Sequence, residues 1–311
     1  MKKLQRVVLI AGPTASGKSG LALRLAEELG GIVINADSMQ VYRELRVLTA
    51  RPSIADEIRV PHALYGSVAG SDAYSAGRYV ADVKRVLAEA EKSGRLPIFV
   101  GGTGLYFKAL IEGLSPIPPV ADDVRAFWRS EAAEKGVAHV YAQLTARDSE
   151  MAERLSPGDT QRIVRALEVI DSTGQSLTEW QRLPREPVFD LAETLPLLVM
   201  PERAELVARI DRRFDEMIGM GALDEVAQLE GLGLDPKLPI MGALGVGPLR
   251  RHLAGSLSLA QAVEAGKAET RQYAKRQATW ARGNMISWRV VSTQEMETEL
   301  DKIARFMKAG H

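Results

Sequence analysis

Apolar residues in the first hundred positions fall into short unbroken runs separated by amphipathic stretches. The runs Val7-Val8-Leu9-Ile10, Gly31-Ile32-Val33-Ile34-Asn35 and Leu96-Pro97-Ile98-Phe99-Val100 read as strands buried on both faces. Residues 21–29, Leu-Ala-Leu-Arg-Leu-Ala-Glu-Glu-Leu, repeat their apolar positions at helical spacing. This alternation predicts an α/β fold with a parallel sheet flanked by helices, whose chemistry gathers at the carboxyl ends of the strands. Ser115-Pro116-Ile117-Pro118-Pro119 marks a break, and 122–185 is helical throughout. The run 195–200 returns to the sheet, although Pro196 weakens it as a strand, and the chain from 202 onward is mostly helical by periodicity. The expected organisation is a discontinuous core, 1–118 with 195–311, carrying an all-helical insertion at 119–194.

Composition narrows the classes. The 311 residues include 40 Lys and Arg against 40 Asp and Glu, so any nucleic-acid surface must arise from local segregation of charge. Cysteine is absent, which removes disulfides, thiolate chemistry and cysteine-ligated zinc. No apolar stretch is long enough to span a membrane, and the run after Met1-Lys2-Lys3 is too short for a signal peptide. A cytoplasmic protein is expected.

Between the first strand and first helix lies Gly12-Pro13-Thr14-Ala15-Ser16-Gly17-Lys18-Ser19, which fits G-x-x-x-x-G-K-[ST] in the strand–loop–helix setting that the motif requires. Backbone N–H groups of such a loop wrap a phosphate, the helix N-terminus adds positive potential, and Lys18 neutralises charge. The Ser19 hydroxyl is placed for Mg²⁺. A bound nucleotide or other diphosphate or triphosphate is therefore expected. Asp37 and Thr103 each follow a strand, so three segments converge on one crevice. Asp37 suits a catalytic carboxylate or, equally, a turn or helix cap. The third strand ends in Gly101-Gly102-Thr103 and lacks the aspartate by which motor and switch NTPases hold their metal. Group transfer fits better than mechanical work. An ATP-dependent kinase for a small metabolite is the rival class.

Several separated segments resemble the tRNA dimethylallyltransferase family: Asp37-Ser38-Met39-Gln40-Val41-Tyr42, Val100-Gly101-Gly102-Thr103-Gly104-Leu105-Tyr106-Phe107, and Asp159-Thr160-Gln161-Arg162-Ile163-Val164-Arg165-Ala166-Leu167-Glu168. Pro61-His62, Tyr74-Ser75-Ala76, Arg209-Ile210 with Arg213-Phe214, and Lys275-Arg276-Gln277-Ala278-Thr279-Trp280-Ala281-Arg282 extend the resemblance over nearly the whole chain. It implies transfer of a dimethylallyl group from dimethylallyl diphosphate to the exocyclic amine of the adenine beside the anticodon, with Mg²⁺ at the diphosphate. Asp37 would take the amine proton and Thr103 would position the leaving oxygen or the base. Gly12 to Ser19 and Arg213 would hold the diphosphate. The tRNA would be met by Asp37, Ser38, Met39, Gln40, Thr103, Arg125, Gln161, Arg162, Ile163, Val164 and Arg165. A monomer of the bacterial form is implied, since the zinc finger of eukaryotic relatives is missing.

The residues themselves qualify this. Ser156-Pro157-Gly158-Asp159 has a capping-box pattern opening a helix on which Ile163, Leu167 and Ile170 share an apolar face. Gln161, Arg165 and Glu168 lie opposite with Arg162 at the border, a face that by itself reads as solvated. Lys267, Arg271, Lys275 and Arg282 form one helical stripe, either a phosphate strip or plain surface, opposite Tyr273 and Trp280, which are expected in the core. His62 is expected to order its loop. Two stretches depart from the family pattern: Arg46-Val47-Leu48-Thr49-Ala50-Arg51-Pro52 and Ala243-Leu244-Gly245-Val246, the latter without the usual tyrosine.

Overall fold

Residues 7–11 are buried at every position, as a central parallel strand requires, and the computed structural model, which describes residues 7–292 and 296–309, places them in the middle of a sheet. Six strands, β1 (Val7–Ala11), β2 (Gly31–Asn35), β3 (His62–Ala63), β4 (Leu96–Gly101), β5 (Thr194–Val199) and β6 (Arg289–Val291), line up in the order β3-β2-β4-β1-β5-β6. Every pairing is parallel. The α/β class is as expected. The two edge strands were not anticipated, because a two-residue strand and one whose Arg289 and Val290 are exposed leave no apolar run to read.

Pro196 sits inside β5 without breaking a ladder. The Met200 N–H donates to Val291 O, so the even-numbered positions of this segment face β6. Pairing with β6 begins only at Leu197, so the side on which Pro196 lacks an N–H has no partner to lose.

Helices cover the sheet: α1 (Lys18–Leu29), α2 (Ile54–Arg59), α3 (Ala76–Lys92) and α4 (Gly104–Ile111), then, after a helical segment, α9 (Arg203–Gly219), α10 (Ala222–Gly231), α11 (Val246–Leu253), α12 (Leu259–Asn284) and α13 (Met296–Ala309). The intervening segment is α5 (Asp122–Arg147), broken at Gly136, followed by α6 (Ser149–Arg154), α7 (Thr160–Thr173) and α8 (Leu177–Arg182). No helix among the described residues is long and apolar enough to cross a membrane.

The chain divides into two units, the first running to Ile111 and resuming at Val188, the second Glu112–Pro187. The borders expected from the prolines at 115–119 and from the returning strand at 195, namely 119 and 194, fall later than this division at both ends. Val188 and Phe189 both donate their N–H to Leu110 O, at 2.8 and 3.1 Å, and the Phe189 ring meets Phe99 edge-on, which ties 188–193 to the sheet before β5 begins. The second unit has its own core, including Trp128, Val140, Leu144, Ile163 and Leu167. Its α7 is capped by Asp159, whose carboxylate accepts from the Arg162 N–H at 3.2 Å; Ser156 stands outside the helix and is not the cap.

Candidate active site

β1 delivers the chain into the loop 12–17, and α1 leaves it at Lys18. Gly12 has no room for a side chain: a Cβ there would lie 2.5 Å from Val199 O and 2.9 Å from Ser16 Oγ. Lys18 turns back over the loop and donates to Pro13 O at 3.1 Å. Burial pulls its pKa down to about 8; the Asp37 carboxylate opposes that shift and Arg213 adds to it. From α9, Arg213 donates to Thr14 Oγ1, and Arg209 reaches Ser16 O at 3.5 Å while paired with Glu205. A cavity of about 440 Å³ opens here, lined by the loop from Thr14 to Gly20 and by Asp37, Gln40, Arg209, Arg212 and Arg213. Its basic character suits a polyanion.

A second cavity of about 340 Å³ shares Thr14, Asp37, Thr49 and Arg213 with the first. Its other walls are largely apolar, with Leu48, Ile210, Phe214, Met217, Ala243 and Leu244. Asp37 therefore stands on the boundary between a phosphate-sized cradle and a hydrocarbon-lined pocket. The buried Asn35 holds it there: Asn35 Oδ1 accepts from the Asp37 N–H at 2.8 Å, and its amide donates to Asp37 O and Leu64 O. Asp37 Oδ1 accepts from the Met39 N–H at 2.9 Å, leaving the rest of the carboxylate toward the cavities.

Thr103 lines neither cavity. Its Oγ1 accepts from the Ser38 N–H at 2.9 Å, and its own N–H donates to Ala36 O at 3.2 Å. Thr103 therefore meets the site through the Ser38 backbone beside Asp37. Ser38 and Met39 line the apolar pocket and Gln40 the cradle, but the Gln40 amide is committed to Thr49 O and Ala50 O. His62 orders its own turn through Nδ1 and Val60 O, 2.9 Å apart, as expected.

Tyr273 is a correction. It lines the apolar pocket with Arg276 stacked over its ring at 5.5 Å, and burial raises its hydroxyl to about 12. Trp280 is part-buried against Gly104, where a Cβ would meet the indole at 2.4 Å. The basic stripe is likewise divided. Lys267 pairs with Asp215 at 2.8 Å and with Glu264, and Arg271 pairs with Asp211, so α9 neutralises half of it; Lys275 and Arg282 remain exposed.

In the second unit, Arg154, Arg162, Arg165 and Gln181 surround a cavity of about 340 Å³ floored by Met151, Leu155 and Leu177. Gln161 is exposed, Arg162 is held by Asp159 at 3.4 Å, and Arg125 lies at the start of α5 against Asp122. The side chains of Ile163 and Val164 are buried in the core of this unit, at 0% and 7% exposure, and offer no surface of their own. Glu168 is also misassigned to the solvated face. It is buried between Arg129 at 3.4 Å and Arg165 at 3.5 Å, which supply the charge that lets a carboxylate sit there.

Two functional placements escaped sequence reasoning. Glu225 on α10 accepts the N–H groups of Arg46, Val47 and Leu48, which seats the loop carrying Leu48 and Thr49 into the pocket wall. Gln277 was legible only as part of a motif, without a task. Val246, at the position lacking tyrosine, is fully buried at the start of α11 and fills core beside Phe214.

A P-loop lies beside an apolar pocket with a carboxylate at the junction, an arrangement chemically suited to group transfer. Comparison with known proteins agrees on the transferase class. The IPP transferase family matches residues 40–284, and the isopentenyl transferase family matches 5–65. The chain is 55% identical to the tRNA dimethylallyltransferase of Parvibaculum lavamentivorans over 302 residues, covering 97% of this chain and 96% of that one. Among solved structures, the tRNA isopentenylpyrophosphate transferase of Bacillus halodurans is 30% identical with a TM-score of 0.70, over 98% of this chain and 96% of that one. A eukaryotic dimethylallyltransferase acting on tRNA is 27% identical with a TM-score of 0.78, over 92% and 73%. The chain belongs to the IPP transferase family, and its Parvibaculum lavamentivorans relative carries the name tRNA dimethylallyltransferase.

Proposed function

We propose that the protein transfers a dimethylallyl group from dimethylallyl diphosphate to the exocyclic N6 amine of the adenine beside the anticodon of tRNA, releasing diphosphate. The observation that carries this reading is Asp37 at the boundary of the cradle and the apolar pocket. The diphosphate lies in the loop 12–19 with Lys18 and Arg213, and the five-carbon chain lies against Leu48, Phe214 and Met217. The amine nitrogen bonds to the first carbon of the chain as the carbon–oxygen bond to diphosphate breaks. The electron pair leaves with the diphosphate, and the amine proton passes to the Asp37 carboxylate. Such general-base help is worth about 10²–10⁴-fold. Lys18 and the loop amides meet the charge that develops on the departing group.

The donor set also fits a magnesium ion. Ser19 and Asp37 line one cavity, and no group of three His, Cys, Asp or Glu residues is found among the described residues. An ion there would take most of its oxygens from diphosphate and water, as Mg²⁺ commonly does. Bound, it would neutralise charge on the leaving group. We take the protein to act as a monomer, and a tRNA substrate supports a cytoplasmic location.

The test is incubation with labelled dimethylallyl diphosphate and unmodified tRNA, free AMP, or, in a separate arm, labelled ATP with small metabolites. Label in tRNA alone is the expected result. Label in AMP, or phosphoryl transfer from ATP, would overturn the reading.

The second unit is assigned to tRNA through Arg125, Gln161, Arg162 and Arg165. The double variant Arg162→Gln/Arg165→Gln is expected to weaken tRNA binding and flatten its salt dependence by about one to two units of log–log slope, as for lost phosphate contacts. Affinity for dimethylallyl diphosphate should stay unchanged. Binding measured across a salt series decides it, and an unaltered slope would remove these arginines from the tRNA surface.

A further inference from the structure

Among the described residues, Gln277 hydrogen-bonds both the P-loop backbone and the turn after β4. The Thr14 N–H donates to Gln277 Oε1 at 2.9 Å, and Gln277 Nε2 donates to Gly102 O at 2.9 Å. One orientation of the amide satisfies both bonds, since the loop offers a donor and the turn an acceptor. Gly102 must be glycine for this contact: a Cβ would lie 2.1 Å from Gln277 Nε2. One helical turn on, Trp280 seats against Gly104. The next residue after Gly102 is Thr103, whose hydroxyl accepts from the Ser38 N–H beside Asp37. A continuous path thus runs from the phosphate loop through Gln277 and Thr103 to the carboxylate. Gln277 itself lines neither cavity.

Building on the transferase reading, we infer that Gln277 is a positioning residue that fixes the register between the diphosphate cradle and the Asp37 base. With its N–H bonded to Gln277, the Thr14 peptide cannot turn toward the anion, so the loop presents the same donors before and after binding. Without that bond, the peptide is free to rotate into the cradle and draw the diphosphate off line. A displacement of about 1 Å at a reacting centre costs on the order of 10²-fold in rate.

The experiment uses the full-length variants Gln277→Glu and Gln277→Leu. A protonated glutamic acid has the glutamine shape: its carbonyl accepts from Thr14 and its O–H donates to Gly102. Ionised, it sets a bare oxygen against Gly102 O. The kcat of Gln277→Glu relative to wild type is therefore expected to be about 10–100-fold low at pH 8 and to recover as pH falls toward the titration of the new carboxyl. Gln277→Leu, which loses both bonds, is expected to stay low at every pH. Melting temperatures measured alongside separate this from a packing role, which would lower Tm without a pH-dependent return of kcat. A constant Gln277→Glu to wild-type ratio across pH, or wild-type kcat in Gln277→Leu, would overturn the inference. Titration of both variants with inorganic diphosphate gives an arm that needs no acceptor. There the expected result is weakened binding at pH 8 that recovers at low pH only in Gln277→Glu, and unchanged binding in both would count against it. If wild-type protein fails to label tRNA, the transferase reading falls while this arm still judges the clamp.

Discussion

Asp37→Asn is expected to lower turnover by at least about 100-fold, or some 2.7 kcal/mol of transition-state stabilisation, while tRNA and dimethylallyl diphosphate still bind within about twofold of wild type. Asparagine keeps the oxygen that accepts from the Met39 N–H, and Asn35 holds the Asp37 backbone without using its side chain. The turn therefore survives and only the proton acceptor is lost. Single-turnover kinetics with preformed complexes separate the chemical step from binding. Turnover near wild type would return Asp37 to the role of a turn residue.

Lys18→Ala removes the one ammonium group of the cradle. It should reduce kcat/KM for dimethylallyl diphosphate by about 10²–10³-fold, the scale measured when a preorganised donor to developing negative charge is deleted. The same lysine predicts a pH dependence. Its pKa of about 8 means that the charged form prevails in the free protein only below that value. Affinity for dimethylallyl diphosphate should be flat below pH 8 and fall by about tenfold per pH unit above it, because binding then has to restore the proton. Titration calorimetry from pH 6.5 to 9.5 should show this break in the wild type and none in Lys18→Ala. A break persisting in the variant would assign the titration to another group.

The strand runs, the P-loop and the returning strand at 195–200 were legible because each is a local pattern. An unbroken apolar run or a glycine-lysine loop needs no knowledge of its neighbours. Errors fell where the deciding contact is distant in sequence. Lys267 and Arg271 look like free cations on α12 until α9 supplies Asp215 and Asp211. Glu168 follows a polar periodicity, yet Arg129 from α5 draws it inside. Val164 lies outside the apolar face read for its helix from Ile163, Leu167 and Ile170, yet α7 packs so closely on α5 that its side chain is also core. Tyr273 was assigned to the core because it opposes a charged stripe, but the hollow it faces is formed in part by the loop around Leu48, more than 200 residues earlier. At the candidate site, Lys18, Ser19 and Asp37 stand in patterns that a local reading picks out. Their supports, Asn35, Glu225 and Gln277, do not, because an amide or carboxylate that bonds main chain leaves no signature in its own segment.

The capture of three successive backbone N–H groups by Glu225 has a consequence for how the molecule breathes. Arg46, Val47 and Leu48 lie in a stretch with no helix or strand of its own, where amide protons ordinarily exchange with solvent freely. Here the bonds to Val47 and Leu48 are both 2.9 Å and end on one carboxylate 177 or more residues away along the chain. Opening this wall of the pocket requires the loop to give up its bonds to the Glu225 carboxylate. Opening of this loop is thereby tied to release from Glu225, and exchange of the three loop amides is expected to be slow and to report on the integrity of a helix elsewhere in the fold.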